Sequence, residues 1–418
     1  MPQASIVILA DDFTGATDAA LAFAKLGART GVWLDRPGSL DGADVAAIDL
    51  DTRTLPPAAA AARVSGLLRS LPAQVKVLKK IDSTLRGNIA VETEALLALR
   101  EDAVAVVVPA HPKLGRVQRG GVLYVDGVPV HETDFGRDLF APVHDSDVRS
   151  HLPVGPAVVL PAPGTFADTG ALERELAAAA RAGVRTVTID AETEDDLAAI
   201  AELADEGGYI WVGSAGLLEA LAAKLVEAVS LEGNARVAGP VLFVIGSLSA
   251  MTRAQIARFC EHGGVTEMVH PRTVLIDEGR SRARASVERI ESALAAGSDV
   301  LVALSSDRID VEAALSMGRL HGFDVATTSR ELRERFVELV VPALPKAGTV
   351  VLSGADVART FFSTAGIEGI RLLGEVLPDI PIARAIGHDL LVVTKGGGSG
   401  TPETYERLAH LARTSQLR

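Results

Sequence analysis

Short apolar runs alternate with amphipathic stretches along most of the chain. The runs at 5–10 (SIVILA), 30–34, 45–49, 75–81, 103–108, 157–160, 185–189 and 209–212 read as buried strands. Between them, 16–26, 57–70, 88–100, 168–182, 193–205 and 215–228 carry apolar residues at helical spacing. Strands that are apolar on both faces and separated by helices belong in a parallel sheet covered on both sides. One stretch departs from this pattern. Residues 121–132 (GVLYVDGVPVHE) alternate about Asp126-Gly127, a dipeptide suited to a tight hairpin. This predicts a β-ribbon inserted in the first domain, either covering a sheet edge or serving as a lid.

The periodicity lapses at 229–240 (VSLEGNARVAGP), where Gly, Asn and Pro accumulate. That places a domain boundary there, with one domain at 1–230 and a second at 238–418. Beyond it, strands are expected at 241–246, 265–269, 299–304, 349–353, 370–373 and 389–394. Helices are expected at 251–262, 280–296, 308–320, 328–341, 355–365 and 402–413. The fold class is therefore α/β: two domains with mainly parallel, helix-covered sheets, the site expected in the cleft between them.

Composition narrows the function. Of the 418 residues only 4% are aromatic, which disfavours an aromatic-cored sandwich. The net charge of −13 argues against a nucleic-acid footprint without excluding small anions bound by local Lys and Arg. Cys260 is the single cysteine, which excludes internal disulfides and thiolate metal clusters; its apolar helical surroundings predict a buried structural thiol. No run approaches the ~20 apolar residues of a spanning helix. Residues 4–10 lack the basic flank of a signal peptide. The expectation is a cytoplasmic protein with no membrane or nucleic-acid partner, its oligomeric state left open and a homo-oligomer allowed.

Four regions at strand ends carry candidate chemistry. The first is Asp11-Asp12-Phe13-Thr14-Gly15-Ala16-Thr17-Asp18. Adjacent carboxylates repel unless a cation or ligand uses them, and one of them could take a hydroxyl proton. A helix cap would explain one carboxylate but not two. The spacing is not the Asp-x-Asp of haloacid dehalogenases. The second is Lys79-Lys80-Ile81-Asp82-Ser83-Thr84-Leu85-Arg86, where cations suit a ligand carboxylate and polar groups suit hydroxyls; the alternative is a cap flanked by surface lysines. The third is His111-Pro112-Lys113-Leu114-Gly115-Arg116, in which His111 either touches a ligand or is structural, and Lys113 and Arg116 either bind an anion or are solvated.

The fourth region is made of three glycine-containing segments: Gly246-Ser247-Leu248-Ser249, Ser353-Gly354-Ala355-Asp356 and Lys395-Gly396-Gly397-Gly398-Ser399-Gly400-Thr401. Glycines let backbone N–H groups approach phosphate oxygens, and a following helix adds its positive end. None is a Walker A loop or a Gly-x-Gly-x-x-Gly fingerprint, so each alone is weak; three in one domain favour a nucleotide pocket. No residues have zinc spacing. Ser214 lacks the Gly-x-Ser-x-Gly context of a nucleophile and reads as a helix N-cap.

Together these segments resemble the four-carbon acid sugar kinase family, whose members act on threonate, erythronate and oxo-tetronates. The matching runs are ADDFTGATDAA at 10–20, KKIDSTLRGNI at 79–89 and PAHPKLGRVQRGGVLYVDGVPVHETDF at 109–135. Later come GSAGLLEAL at 213–221, GSLSAMTRAQI at 246–256, LGEVLP at 373–378 and VVTKGGGSG at 392–400. The resemblance implies an N-terminal domain that binds the sugar acid and a C-terminal domain that binds ATP with Mg²⁺. It implies substrate roles for Asp12, Lys80, Asp82, Ser83 and Arg86, to which Asp11 and His111 are added as candidates. It implies nucleotide roles for Ser247, Ser249, Gly354, Gly397, Gly398 and Gly400, with Asp356 beside them. Asp12 or Asp82 would orient and deprotonate the attacking hydroxyl, and Lys80 or Arg86 would hold the sugar carboxylate. Two segments depart from the family pattern: Ala355 and Val357 replace a glycine and a threonine, and Ser399 replaces a phenylalanine. They keep a non-catalytic sugar-acid sensor as the alternative. A sugar-phosphate dehydrogenase or isomerase is disfavoured by the missing dinucleotide fingerprint.

Overall fold

The computed structural model describes every residue except 1–3, 36–38, 41, 73, 101, 139, 167, 169, 206–207, 228–236, 248, 276–279, 305–307 and 416–418. The chain forms two compact units, Met1–Leu231 and Glu232–Arg418.

The first unit runs β1 (Ile6–Ala10), α1 (Phe13–Lys25), β2 (Thr30–Leu34), β3 (Val45–Asp49), α2 (Pro57–Leu68), β4 (Lys76–Lys80), α3 (Ile89–Leu97) and β5 (Val104–Val108). A ribbon of β6 (Arg116–Arg119), β7 (Val122–Val125) and β8 (Val128–Pro129) follows. The unit continues with β9 (Ala157–Leu160), α4 (Ala171–Arg181), β10 (Thr186–Ile189), α5 (Glu194–Ala201), β11 (Tyr209–Gly213) and α6 (Ala215–Leu225). Its sheet has the order β2-β3-β1-β4-β11-β5-β10-β9, and every pairing is parallel. Burial on both faces explains the continuous apolar runs. All five residues of β1 and of β5 are buried, at roughly 1.5–3 kcal/mol for each large aliphatic side chain.

The chain leaves β1 toward β3 and β2, then returns to β4 on the other side of β1. The carboxyl ends of β1 and β4 therefore flank a topological switch point, where open α/β sheets bind ligands. Register places Ala10 beside both Asp49 and Lys80, so the segments that follow all three strands emerge together.

The second unit runs β12 (Val241–Ile245), α7 (Ala250–Glu261), β13 (Val265–Val269), α8 (Pro271–Leu275), α9 (Arg280–Ala295), β14 (Val300–Leu304), α10 (Arg308–Leu320) and α11 (Val325–Val340). It ends with β15 (Thr349–Ser353), α12 (Ala355–Thr364), β16 (Gly369–Leu377), β17 (Ile380–Ala385), β18 (Leu391–Lys395) and α13 (Thr404–Ser415). The sheet order is β13-β14-β12-β15-β18-β17-β16. The first five strands are parallel; β17 pairs antiparallel with both β18 and β16. One face packs Phe243, Val351 and Val393 against Phe259 of α7 and Tyr405 of α13.

Several sequence expectations need correction. The expected strand at 370–373 is the nine-residue β16, and β17 had not been foreseen. Their turn around Asp379 uses a positive φ at a non-glycine residue, which masked the hairpin. Helix α1 starts at Phe13, three residues before the expected 16, because Asp12 caps it. The ribbon gains a strand at Arg116–Arg119, which had read as part of a loop. Cys260 is exposed, not buried: it lies on the outer face of α7, with Sγ 3.3 Å from the Thr266 hydroxyl. The end of the expected helix 215–228, Ala228, lies outside the described residues, as do Leu248 and most of the boundary segment 229–240. No helix among the described residues is long and apolar enough to cross a membrane.

Candidate active site

In the first unit the acidic loop after β1 is organised by an arginine that sequence reasoning missed. Arg53 follows β3, and its Nε and Nη2 donate to the two oxygens of Asp11 at 2.8 and 3.1 Å. Its Nη1 donates to Asp12 Oδ2 at 2.7 Å, and Nη2 stands 3.7 Å from Asp82. The other Asp12 oxygen accepts the Gly15 N–H at 2.8 Å as the N-cap of α1. Asp12 is thus both cap and ion-pair partner. Backbone bonds from Thr52 and Arg53 to the Asp11 carbonyl hold the two loops together. The available signal was a polar Asp51-Thr52-Arg53-Thr54 segment just beyond a predicted strand. Asp18 lies on the exposed face of α1.

Lys79 and Lys80 are adjacent in β4 and so point to opposite faces. The wholly buried Lys79 pairs with the equally buried Glu92 of α3 at 2.6 Å and also donates to the Lys80 carbonyl at 2.9 Å. It is a structural bolt between β4 and α3. Lys80 turns toward α1: a Cβ on Gly15 would stand 2.9 Å from its Nζ and 2.5 Å from Asp12 Oδ1. The Lys80 ammonium donates to the Ile81 carbonyl at 2.9 Å. Among the described residues no carboxylate lies within ion-pair distance of it.

Asp82 is saturated. Its Oδ2 accepts from the Thr84 amide at 3.2 Å, from the Thr84 hydroxyl and from Arg86 Nε at 2.9 Å; its Oδ1 accepts Arg86 Nη2 at 3.1 Å. Arg86 then reaches Asp138 at 3.2 Å and lies over the Phe135 ring. The loop turns tightly through Leu85 and Gly87, both at positive φ. A side chain at Gly87 would press on Asp11 Oδ2 at 3.2 Å.

These environments separate the carboxylates. For Asp82, burial pushes the pKa up, but Arg53 and Arg86 outweigh it and hold the group well below the usual range. For Asp11, burial is again outweighed, by Arg53 and Lys79, and the net shift is downward. Asp12 moves the other way. Burial raises it, Arg53 only partly compensates, and the neighbouring Asp11 charge raises it further. Its side chain keeps 15% exposure, so of the three it combines access with proton affinity.

The ribbon delivers one more cation. Asp190 accepts from the Gln118 side chain at 3.0 Å and from the amides of Gly120 and Gly121 at 2.6 and 2.9 Å, which fastens the ribbon's base. The β7–β8 turn uses positive φ at Asp126 and Gly127, as a two-residue hairpin requires. Arg116, at the start of β6, donates to the Ser83 hydroxyl at 2.8 Å and lies near Phe135. Its buried Nε has no hydrogen-bond partner among the described residues. Burial, the largest influence, and the like charge of Arg86 both lower its pKa. His111 exchanges backbone bonds with Arg116 at 2.7 and 3.2 Å, and its ring packs against Gly216. Lys113 pairs with Glu219 at 2.9 Å on the surface. Ser214 caps α6 through the Gly216 amide at 3.1 Å.

In the second unit the glycine segments meet at adjacent strand ends: register aligns Ile245 with Ser353, and Ser353 with Lys395. Ser249 caps α7 through the Thr252 amide, and its hydroxyl donates to the Gly397 carbonyl at 2.6 Å. Thr252 also reaches that carbonyl and the Ser247 hydroxyl, each at 3.0 Å. A Cβ on Gly397 would fall 2.2 Å from the Ser247 hydroxyl. Gln255 holds the loop from below, donating to the carbonyls of Ser399 and Thr401. Gly354 opens α12 at φ +107, and its amide donates to the Lys395 carbonyl at 3.2 Å. Gly398 and Gly400 lie at the exposed rim. Asp356 pairs with Arg333 at 3.2 Å. The departures leave this framework standing: Ala355 is the first residue of α12, and Val357 packs onto Gly246.

A parallel α/β unit carries a carboxylate and cation cluster, and a mostly parallel one that follows carries a glycine cradle: the architecture is that of an α/β protein with two separate candidate ligand sites. The first unit matches the family model of a sugar-binding N-terminal domain over residues 6–221, and the second that of a nucleotide-binding C-terminal domain over 242–405. The chain is 36% identical to a D-threonate kinase of Cupriavidus necator, covering 91% of this chain and 90% of the relative. It is 31% identical to a D-erythronate kinase of Heliobacterium modesticaldum, covering 96% and 95%. A solved Salmonella typhimurium structure shares the fold with TM-score 0.82 at 24% identity, covering 96% of this chain and 98% of that one. The chain belongs to the four-carbon acid sugar kinase family.

Proposed function

We propose that this protein phosphorylates a terminal hydroxyl of a four-carbon sugar acid with ATP. Its kinship with threonate and erythronate kinases supports the reaction class. The observation that carries the site is the division of charge in the first unit. Arg53 and Arg86 are already neutralised by aspartates, whereas Lys80 and Arg116 pair with no carboxylate among the described residues. A sugar carboxylate would therefore bind Arg116 and Lys80, with Ser83 and Asp11 lining the hydroxyls. Arg86 and Asp82 brace the loop, and His111 acts through its backbone hold on Arg116.

Asp12 is the base in this reading. It accepts the proton of the attacking hydroxyl as that oxygen bonds to the γ-phosphorus and the bond from phosphorus to the ADP oxygen breaks. Catalysis of this kind rests mainly on position and charge neutralisation. Ser247, Ser249, Gly354, Gly397, Gly398 and Gly400 would hold the phosphates, with Asp356 at the rim. Mg²⁺ enters with ATP as part of the substrate, which suits a metal bound mostly through phosphates and water; the described residues contain no cluster of three metal-binding side chains. Dependence on ATP supports a cytoplasmic site of action.

A coupled ADP-release screen over threonates, erythronates and oxo-tetronates tests the proposal. Activity is expected on at least one acid, and Asp12→Asn should lower kcat by about 10²–10⁴-fold. Asn still caps a helix well, so the fold should persist. Silence on all these acids would overturn the substrate class, and a fully active Asp12→Asn would remove Asp12 as the base.

A further inference from the structure

Lys395, the last residue of β18, is 4% exposed. It lies two residues beyond Val393, so both side chains lie on the face that packs against α7 and α13. A buried ammonium is costly unless it is paired. Yet among the described residues its side chain makes one hydrogen bond, a long 3.4 Å contact to the Ser353 hydroxyl, and it lies 5.5 Å from the centre of the Tyr405 ring. No carboxylate pairs with it among the described residues. Among the described residues the ionisable group facing it is the Tyr405 phenol, which burial keeps protonated; the Ser353 and Thr252 hydroxyls lie toward the phenol oxygen without completing a hydrogen bond to it.

Its position joins it to the glycine segments. Ser353 and Lys395 are side by side, and the glycine segments Gly354 and Gly396–Gly400 begin at the next residues. Elsewhere in this site polar groups are tied together: Ser247, Ser249 and Thr252 bond to one another, and the last two bond to the Gly397 carbonyl. The ammonium has donors to spare, and its strand runs directly into glycine backbone that a phosphate can approach closely.

We propose that Lys395 binds the nucleotide's phosphates, supplying the counter-charge that the glycine loop's backbone lacks. This deepens the nucleotide-binding reading of the second unit and rests on it. With no anion bound, burial lowers the Lys395 pKa to about 8. A bound phosphate raises it again, so nucleotide binding near that pH draws in a proton.

Calorimetry with MgADP on the full chain, at pH 8 in two buffers of different ionisation enthalpy, reads this directly. The wild type is expected to take up about half a proton per nucleotide. Lys395→Met should bind about tenfold or more weakly and take up none. Lys395→Arg keeps a permanent charge, so it should hold affinity within a few-fold and also take up none. Thermal unfolding of each variant reports whether the fold survives, and the arginine variant decides the matter should the methionine variant not fold. Proton uptake persisting in Lys395→Arg, or wild-type affinity in a folded Lys395→Met, overturns the proposal. A wild type that binds no nucleotide overturns the underlying nucleotide-binding reading instead.

Discussion

Replacing Arg53 with methionine tests the charge architecture of the first unit. The substitution keeps much of the apolar stem and deletes the group that meets Asp11, Asp12 and Asp82 at 2.7–3.7 Å. Its side chain is 16% exposed, so solvent screens these contacts little. Removing one partner of such a buried cluster costs roughly 3–5 kcal/mol. At about 1.4 kcal/mol per unit, that equals a summed rise of roughly 2–4 pKa units shared by three carboxylates. The pH dependence has a definite sign. Asp11 and Asp82 are held below their ordinary values. Their stabilisation is present above the unfolded carboxylate pKa and lost as pH falls through the folded values. In Arg53→Met these groups move upward, so the deficit grows with pH and shrinks in acid. The chain's two tryptophans, Trp33 and Trp211, are both buried in the first unit, so urea unfolding followed by their fluorescence reports that unit. The variant should lose roughly 3–5 kcal/mol at pH 7.5 and at most half of that near pH 4.5. A loss below about 1 kcal/mol at pH 7.5, or one independent of pH, would refute the reasoning.

The buried pair offers a cleaner cycle. Lys79→Met alone should cost roughly 3–5 kcal/mol by stranding Glu92, and Lys79→Met with Glu92→Leu should recover most of it; equal instability of the single and double variants in urea would contradict a paired bolt. Arg116→Met should raise KM for the sugar acid about 10–100-fold while changing kcat much less, because the lost charged hydrogen bond serves ground state and transition state alike. Steady-state kinetics showing an unchanged KM would remove Arg116 from the carboxylate site. The acid limb of the wild-type kcat–pH profile should lie above the ordinary aspartate pKa, since Asp12 must lose its proton to act and its pKa is raised; an acid limb at or below that ordinary value would exclude Asp12.

Much of this was legible in the residue order. Apolar runs, glycines and capping residues are local signals, so the strand ends that carry Asp11-Asp12, Lys80–Arg86 and the glycine loops could be located directly, and the runs themselves pointed to the family. Where charges meet was not legible. Arg53 reaches Asp12 across 41 residues, a pairing created by the register of three strands. Period-two alternation says that Lys79 and Lys80 face apart, but only packing shows that Glu92 waits on one side and the Asp12 cap on the other. Asp12 and Asp82 read as equivalent candidates until the fold surrounded Asp82 with arginines and buried Asp12 with Arg53 only partly offsetting that burial and its neighbour Asp11. The residue types determined which charges were present; the tertiary structure decided which were neutralised, because pairing depends on distances of a few ångströms that the fold creates between positions far apart in sequence.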